Sequence, residues 1–267
     1  MSDPCRVDVV KFGGWPWAPA FEIYWMDAQG PAEPLDLVGV VIHAADGITL
    51  VNTGPALHHL AAANAHWATF DPRHQLYVAS DEELDPALAK VGVKREEVRR
   101  VIVTPFQVYA IGNVLRFPNA EICLSRRGWI DFHAPRWRPH PHDNRPFCIP
   151  EDVLVGLVTD AWPRVRLLED EEDLAPGLSV FWTGVHHRSS VAVKALTAKG
   201  AVIASDAFFR YENIERMHPI GINESMEEAL VAYSRIKREA DFLLPLYDPR
   251  VFERGGTGGA GRFRRGL

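Results

Sequence analysis

The stretch Val101-Ile102-Val103-Thr104-Pro105-Phe106-Gln107-Val108-Tyr109-Ala110-Ile111-Gly112 opens on three β-branched residues. With Arg100 before them, they read as a buried strand over 100–104, and Gln107 and Tyr109 belong to the loop that follows. Upstream, Lys94–Arg99 is an exposed charged segment running straight into that strand. Downstream, Ala120–Leu124 is a further short strand, and Ser125 is placed to cap a helix over Arg126–Phe132. Toward the N-terminus, Leu35–His43 and Ile48–Asn52 are joined by Ala-Ala-Asp-Gly, a hairpin signal. A helix follows over Ala56–Phe70, and a short one over Pro86–Val91 with Asp85 as its cap. Toward the C-terminus come strands over Leu178–Trp182, Val191–Leu196 and Ala201–Ser205. A helix over Glu224–Ala240 is next, with Met226, Ala229, Leu230, Tyr233, Ile236 and Ala240 on one stripe, and then a strand over Phe242–Pro245. Strands alternating with helices predict a layered α/β or α+β chain. One domain is expected over residues 1–253, with a flexible Gly/Arg-rich tail over 254–267.

Composition narrows the function. With 47% hydrophobic and 24% charged residues over 267 positions, the chain is globular and able to bury a core. A net charge of −6 argues against a nucleic-acid partner. The apolar run near Leu35 is too short for a bilayer span, and no signal segment is apparent, so no membrane partner and a cytoplasmic location are expected. Three cysteines, Cys5, Cys123 and Cys148, lack C-x-x-C spacing and read as reduced thiols. Neither a phosphate-binding glycine loop nor a nucleophile elbow is present.

Five short segments, each at a strand end, occur in a telling order. They are Leu50-Val51-Asn52-Thr53-Gly54, the Thr104–Gly112 string, Thr183-Gly184-Val185-His186-His187, Val202-Ile203-Ala204-Ser205-Asp206, and Leu244-Pro245-Leu246-Tyr247-Asp248-Pro249. In this order the chain resembles the metallo-β-lactamase superfamily, in particular its lactonase-like and glyoxalase-like branch. Those proteins carry D-T-G, T-H-x-H-x-D-H-x-G, G-x-H, G-D and P-x-H-D-P at the corresponding places. The resemblance implies a four-layer αββα sandwich with a site at one edge.

The same resemblance shows what has changed. The first metal of the family would fall on Pro105, Gln107 and His186. The second would fall on Tyr109, Ala110 and Tyr247, with Asp206 bridging the two. Pro105 and Ala110 have no donor atom, Gln107 is a poor zinc ligand, and Asn52 removes a carboxylate beneath the site. His186 and Asp206 remain as ordinary ligands and as the remnant catalytic positions. The expectation is a pseudoenzyme that has lost dinuclear zinc chemistry, holds no cofactor, and binds a partner or a small molecule with a carbonyl group or an apolar tail. The alternative is a hydrolase of a lactone, ester or thioester using one Zn or Fe ion on His186 and Asp206 with Tyr109 and Tyr247. Asn52, Gln107, Tyr109, His187 and Tyr247 are expected to line the pocket. His133, His140 and His142, in or beside the Pro-rich stretch Ala134–Pro150, are candidates to cover it. Of His58 and His59 at a helix start, one is expected to face solvent; His43 reads as a buried histidine on a strand, and Trp15, Trp17 and Trp25 as cover for a sheet.

Overall fold

The first sheet begins with a strand the sequence hid. In the computed structural model, which describes residues 4–134, 145–253 and 261–262, β1 (Arg6–Ala18) pairs antiparallel with β2 (Glu33–Ala44). Its register shifts between Lys11 and Gly14 and again between Trp15 and Ala18. Gly13-Gly14 and Pro16 break the alternation that would have announced it. After α1 (Ala20–Ile23), β2 turns back into β3 (Gly47–Val51) as the hairpin predicts. Then come α2 (Leu57–Trp67), α3 (Leu84–Ala89), β4 (Val98–Ile102) and α4 (Val108–Ile111). The half closes with β5 (Glu121–Ser125), α5 (Arg126–His133), α6 (Arg145–Cys148), α7 (Glu151–Val158) and β6 (Val165–Leu168). The sheet order is β1-β2-β3-β4-β5-β6, and the pairs from β3 to β6 are parallel.

The second half supplies β7 (Glu171–Ala175), β8 (Leu178–Trp182), β9 (Val191–Thr197) and β10 (Gly200–Ser205). It continues with α8 (Tyr211–Glu215), α9 (Met226–Glu239), β11 (Phe242–Pro245), α10 (Arg250–Glu253) and β12 (Gly261–Arg262). This sheet runs β12-β11-β10-β9-β8-β7, antiparallel except for the β10–β11 pair. The two sheets share one core, in which Val40, Leu50, Val101 and Ile122 of the first join Val180, Val193, Ile203 and Leu243 of the second. Ala63, Leu88 and Leu157 on the outer helices seal one side, and Tyr233 and Ile236 the other. These are the four layers, αββα.

Several local expectations shift. Ser125 does cap α5, accepting from Gly128 N at 3.2 Å. Glu83, not Asp85, stands at the cap position of α3. On α9 the buried stripe is Ala229, Ala232, Tyr233 and Ile236, while Leu230 is 41% exposed. The Pro-rich stretch Ala134–Pro150 contains α6, and residues 135–144 of it lie outside the described residues. The expected flexible tail likewise lies mostly outside them, except that Gly261–Arg262 pairs with β11. All three cysteines are buried free thiols. Among the described residues no helix is long and apolar enough to cross a membrane.

Candidate functional site

The strand ends of the two sheets meet at one edge. Thr104, just past β4, donates its hydroxyl to Asp206 Oδ1, just past β10, and accepts from Val191 N at 2.9 Å. Asp206 is fully buried, so its carboxylate must be paired. Its other oxygen accepts from Ser190 Oγ at 2.5 Å and lies 3.2 Å from His186 Nδ1. Ser190 in turn accepts from His187 N at 3.0 Å. Three donors thus occupy a carboxylate that offers about four lone-pair sites.

The phenols stand above it. Tyr247, immediately after β11, donates to the hydroxyl of Tyr109 on α4 at 3.5 Å. The His186 ring sits edge-on to Tyr247 at 6.0 Å between centroids, and Phe209 fills the gap, 4.9 Å from His186 and 4.6 Å from Tyr247. Burial pushes both phenols well above their ordinary range, and the nearby Asp206 charge adds to it. Both are therefore neutral hydroxyls at physiological pH. Trp15 of β1 packs edge-on to Tyr109 at 5.1 Å and extends the aromatic wall. Its indole N–H is buried without a hydrogen-bond partner.

Asn52, just after β3, is in the left-handed region at φ 62°, which asparagine tolerates better than most residues. Its side chain clamps Thr104 from both directions, donating to its carbonyl at 2.7 Å and accepting from its N–H at 2.8 Å. Gln107 donates to His187 Nε2 at 3.2 Å and to Cys148 Sγ at 3.6 Å. Tyr109, His186, Asp206 and Tyr247 therefore gather in one cluster, with Asn52 and Gln107 at its margin and the His187 ring tilted beside that of His186, 4.3 Å between centroids. His133 is placed differently: it ends α5, with Nδ1 2.8 Å from Trp129 O and its ring against Trp129 and Phe132 of the same helix. His140 and His142 lie outside the described residues. His43 is partly exposed and lies 3.0 Å from Asp8 Oδ2 rather than in the core.

Thr104 and Ser190 are the residues sequence reasoning passed over as partners of Asp206. Their only signal is a hydroxyl beside a family motif position, which is too common to single out. A dinuclear zinc centre, the group this arrangement of strand ends implies, needs nitrogen, thiolate or carboxylate donors. Of the side chains gathered here, His186, Asp206 and the neighbouring His187 are of that kind, whereas Gln107 is an amide and the two tyrosines are neutral phenols, a set too poor in such donors to fit two ions.

Beside the cluster opens a cavity of about 740 Å³, walled by Ala62, Val108, Pro146, Phe147, Pro150 and Val155. Val108 sits between Gln107 and Tyr109, so the cavity and the cluster share α4. Most of this wall is apolar, as in small-molecule sites.

No family model matches the chain, and no curated protein matches it. Its backbone nevertheless superposes on solved structures. One is an N-acyl homoserine lactone hydrolase with the product N-hexanoyl-L-homoserine at its catalytic metal centre. It shares 16% identity and a TM-score of 0.77, over 96% of this chain and 98% of that one. A second is AidC, a dizinc quorum-quenching lactonase, at 10% identity and TM-score 0.64 over 93% and 89%. A third, the β-lactamase-superfamily hydrolase AbOPH, gives 13% and 0.63 over 98% and 91%. Likeness this distant in sequence and this complete in length bears on fold, and with two facing mixed sheets, outer helices and converging strand ends it establishes that this chain adopts the metallo-β-lactamase fold.

Proposed function

We propose that this protein binds a small molecule with a carbonyl head and an apolar tail, and does not perform dinuclear zinc hydrolysis. The observation that carries the reading is the state of Asp206: Thr104, Ser190 and His186 hold both oxygens of the carboxylate that would bridge two metals. Hydroxyl hydrogen bonds supply the compensation that cations supply in the resembling family. Without a metal-lowered water pKa, the rate enhancement left to a lone histidine base is about 10²–10⁴-fold. The apolar cavity beside Val108 suits an acyl chain, and a related fold has been seen with N-decanoyl-L-homoserine at its active site.

The test pairs binding with turnover. Acyl homoserine lactones and their ring-opened acids are titrated against tryptophan fluorescence, and lactone opening is followed by proton release with and without added zinc. Saturable binding without zinc-stimulated opening is expected. Zinc-dependent opening that disappears in His186→Ala and Asp206→Asn would overturn the reading.

A further inference from the structure

A second group of metal-ligating side chains lies outside this cluster, on the rim of the cavity. His58 and His59, the second and third residues of α2, both turn toward Asp152, the second residue of α7. His58 Nε2 lies 3.1 Å from Asp152 Oδ2, and His59 Nε2 lies 2.9 Å from Oδ1. The two imidazoles are 3.9 Å apart between centroids. One ligand atom from each residue falls within 4.8 Å of the others, and among the described residues this is the only group of three His, Cys, Asp or Glu side chains that does so. Histidines adjacent in sequence rarely share a metal, and here more than ninety positions separate them from the carboxylate. The N-terminal turns of α2 and α7 come close enough for these side chains to meet, which creates the arrangement.

We infer that His58, His59 and Asp152 form a binding site for one divalent ion of the zinc class, separate from the strand-end cluster. Two imidazole nitrogens and a carboxylate are a donor set zinc accepts, and three protein ligands leave a fourth position open. Zinc bonds of about 2.0–2.2 Å at tetrahedral angles place ligand atoms about 3.4 Å apart. The two histidines contact different oxygens of Asp152, at 3.1 and 2.9 Å, and one ligand atom from each residue lies within 4.8 Å of the others, so modest side-chain rotation brings the three onto one ion. His59 is half-buried, and its Nδ1 is enclosed without a partner, so Nε2 is the nitrogen through which this ring makes its polar contact. His58 and Asp152 are exposed, which leaves the ion a path from solvent. The helix N-termini that meet here carry partial positive charge and oppose a cation, but Glu151 and Asp152 in the first turn of α7 offset it. Glu151 and all three ligands line the cavity assigned above to the small molecule.

The full chain, stripped with chelator and desalted, is titrated with Zn²⁺ by calorimetry and with Co²⁺ by visible absorption. One ion per chain is expected, with the intense d–d bands of a tetrahedral Co²⁺ site. His59→Ala and Asp152→Asn, each checked for folding by circular dichroism, should weaken binding at least about 100-fold, since loss of a mere supporting partner already costs 10–100-fold. His186→Ala should leave stoichiometry and affinity unchanged. No binding by the unaltered chain, or binding that survives both His59→Ala and Asp152→Asn, overturns the site. Binding abolished by His186→Ala instead also overturns it, and marks a failure of the reading of the buried cluster rather than of this site alone.

Discussion

Replacing Thr104 by valine keeps the shape of the side chain and removes one oxygen. That oxygen donates to Asp206 and accepts from Val191 N at 2.9 Å, and both partners are buried. Losing a hydrogen bond to a charged group costs about 1.5–3 kcal/mol, and orphaning a buried N–H costs about 1–3 kcal/mol more. The sum, about 2.5–6 kcal/mol, is a large share of the roughly 5–15 kcal/mol that holds a domain together. Urea unfolding followed by tryptophan fluorescence and circular dichroism should show the midpoint falling by about 1–2 M with the slope unchanged. Coincidence of the two probes checks that a single transition is being read. Ser190→Ala should cost a comparable amount, because its hydroxyl also joins Asp206 to a backbone donor, His187 N. The double variant should be less destabilised than the sum, since both residues serve one carboxylate. A loss below about 1 kcal/mol in Thr104→Val would refute the reasoning, because the carboxylate would then draw its compensation from something other than these hydroxyls.

Three further outcomes are expected. Asn52→Asp exchanges the donor facing Thr104 O, at 2.7 Å, for a second acceptor and buries a charge, so it should cost about 2–4 kcal/mol at pH 7 and less as pH falls, measured by urea unfolding. Burial pushes Glu22 up to about 7 from 4.5; although His74 Nδ1 is 3.9 Å away, burial also lowers the His74 pKa, so the two are not an ion pair. The unfolded chain releases the Glu22 proton first, so stability should fall as pH rises from about 4.5 to about 7, and Glu22→Gln should recover at most about 3 kcal/mol at pH 8 and flatten that slope. Glu212 is held down at about 2 by the bidentate Arg250 at 2.6 and 2.7 Å; its contribution is complete above pH 4.5 and lost as pH falls toward 2, about 1–2 kcal/mol after solvent screening of Arg250, and Glu212→Gln should remove that part of the acid transition.

The fold was legible because it depends on coarse features: apolar runs of strand length, turn residues between them, and five strand-end segments in order. β1 was not, since Gly13, Gly14 and Pro16 interrupt its periodicity, and only its pairing with β2 makes it a strand. The gathering of His186, Asp206, Tyr109 and Tyr247 was legible as well, because a strand end fixes where a residue goes whatever its chemistry. What those residues do there was less legible. Hydroxyls at Thr104 and Ser190 look like any others until a buried carboxylate is found between them. The group at His58, His59 and Asp152 could not be read at all, because nothing in the chain's local pattern links positions more than ninety residues apart that only the fold brings together.

If the proposed function holds, the hydroxyls and phenols at this edge explain how such a fold changes its chemistry without losing its shape. On the reading proposed above, a carboxylate as enclosed as Asp206 that has no cation beside it must find other donors or unfold the edge that holds it. Thr104 and Ser190 are well placed because their hydroxyls reach Asp206 from two sides, and the Thr104 hydroxyl, donating to Asp206, also accepts from Val191 N and so ties the two sheets together. Tyr109 and Tyr247 fill the space beside Asp206 as neutral phenols, with Tyr247 donating to Tyr109, so no further charge is buried. Asn52 completes the adjustment, since an amide serves both the N–H and the carbonyl of Thr104 where a carboxylate could serve only one. Every one of these residues compensates a neighbour, so restoring a single family ligand should destabilise the edge before it restores a metal. Pro105→His alone should therefore yield a chain no better at binding zinc at this edge, because Ala110 and the two phenols still deny the ion its remaining donors.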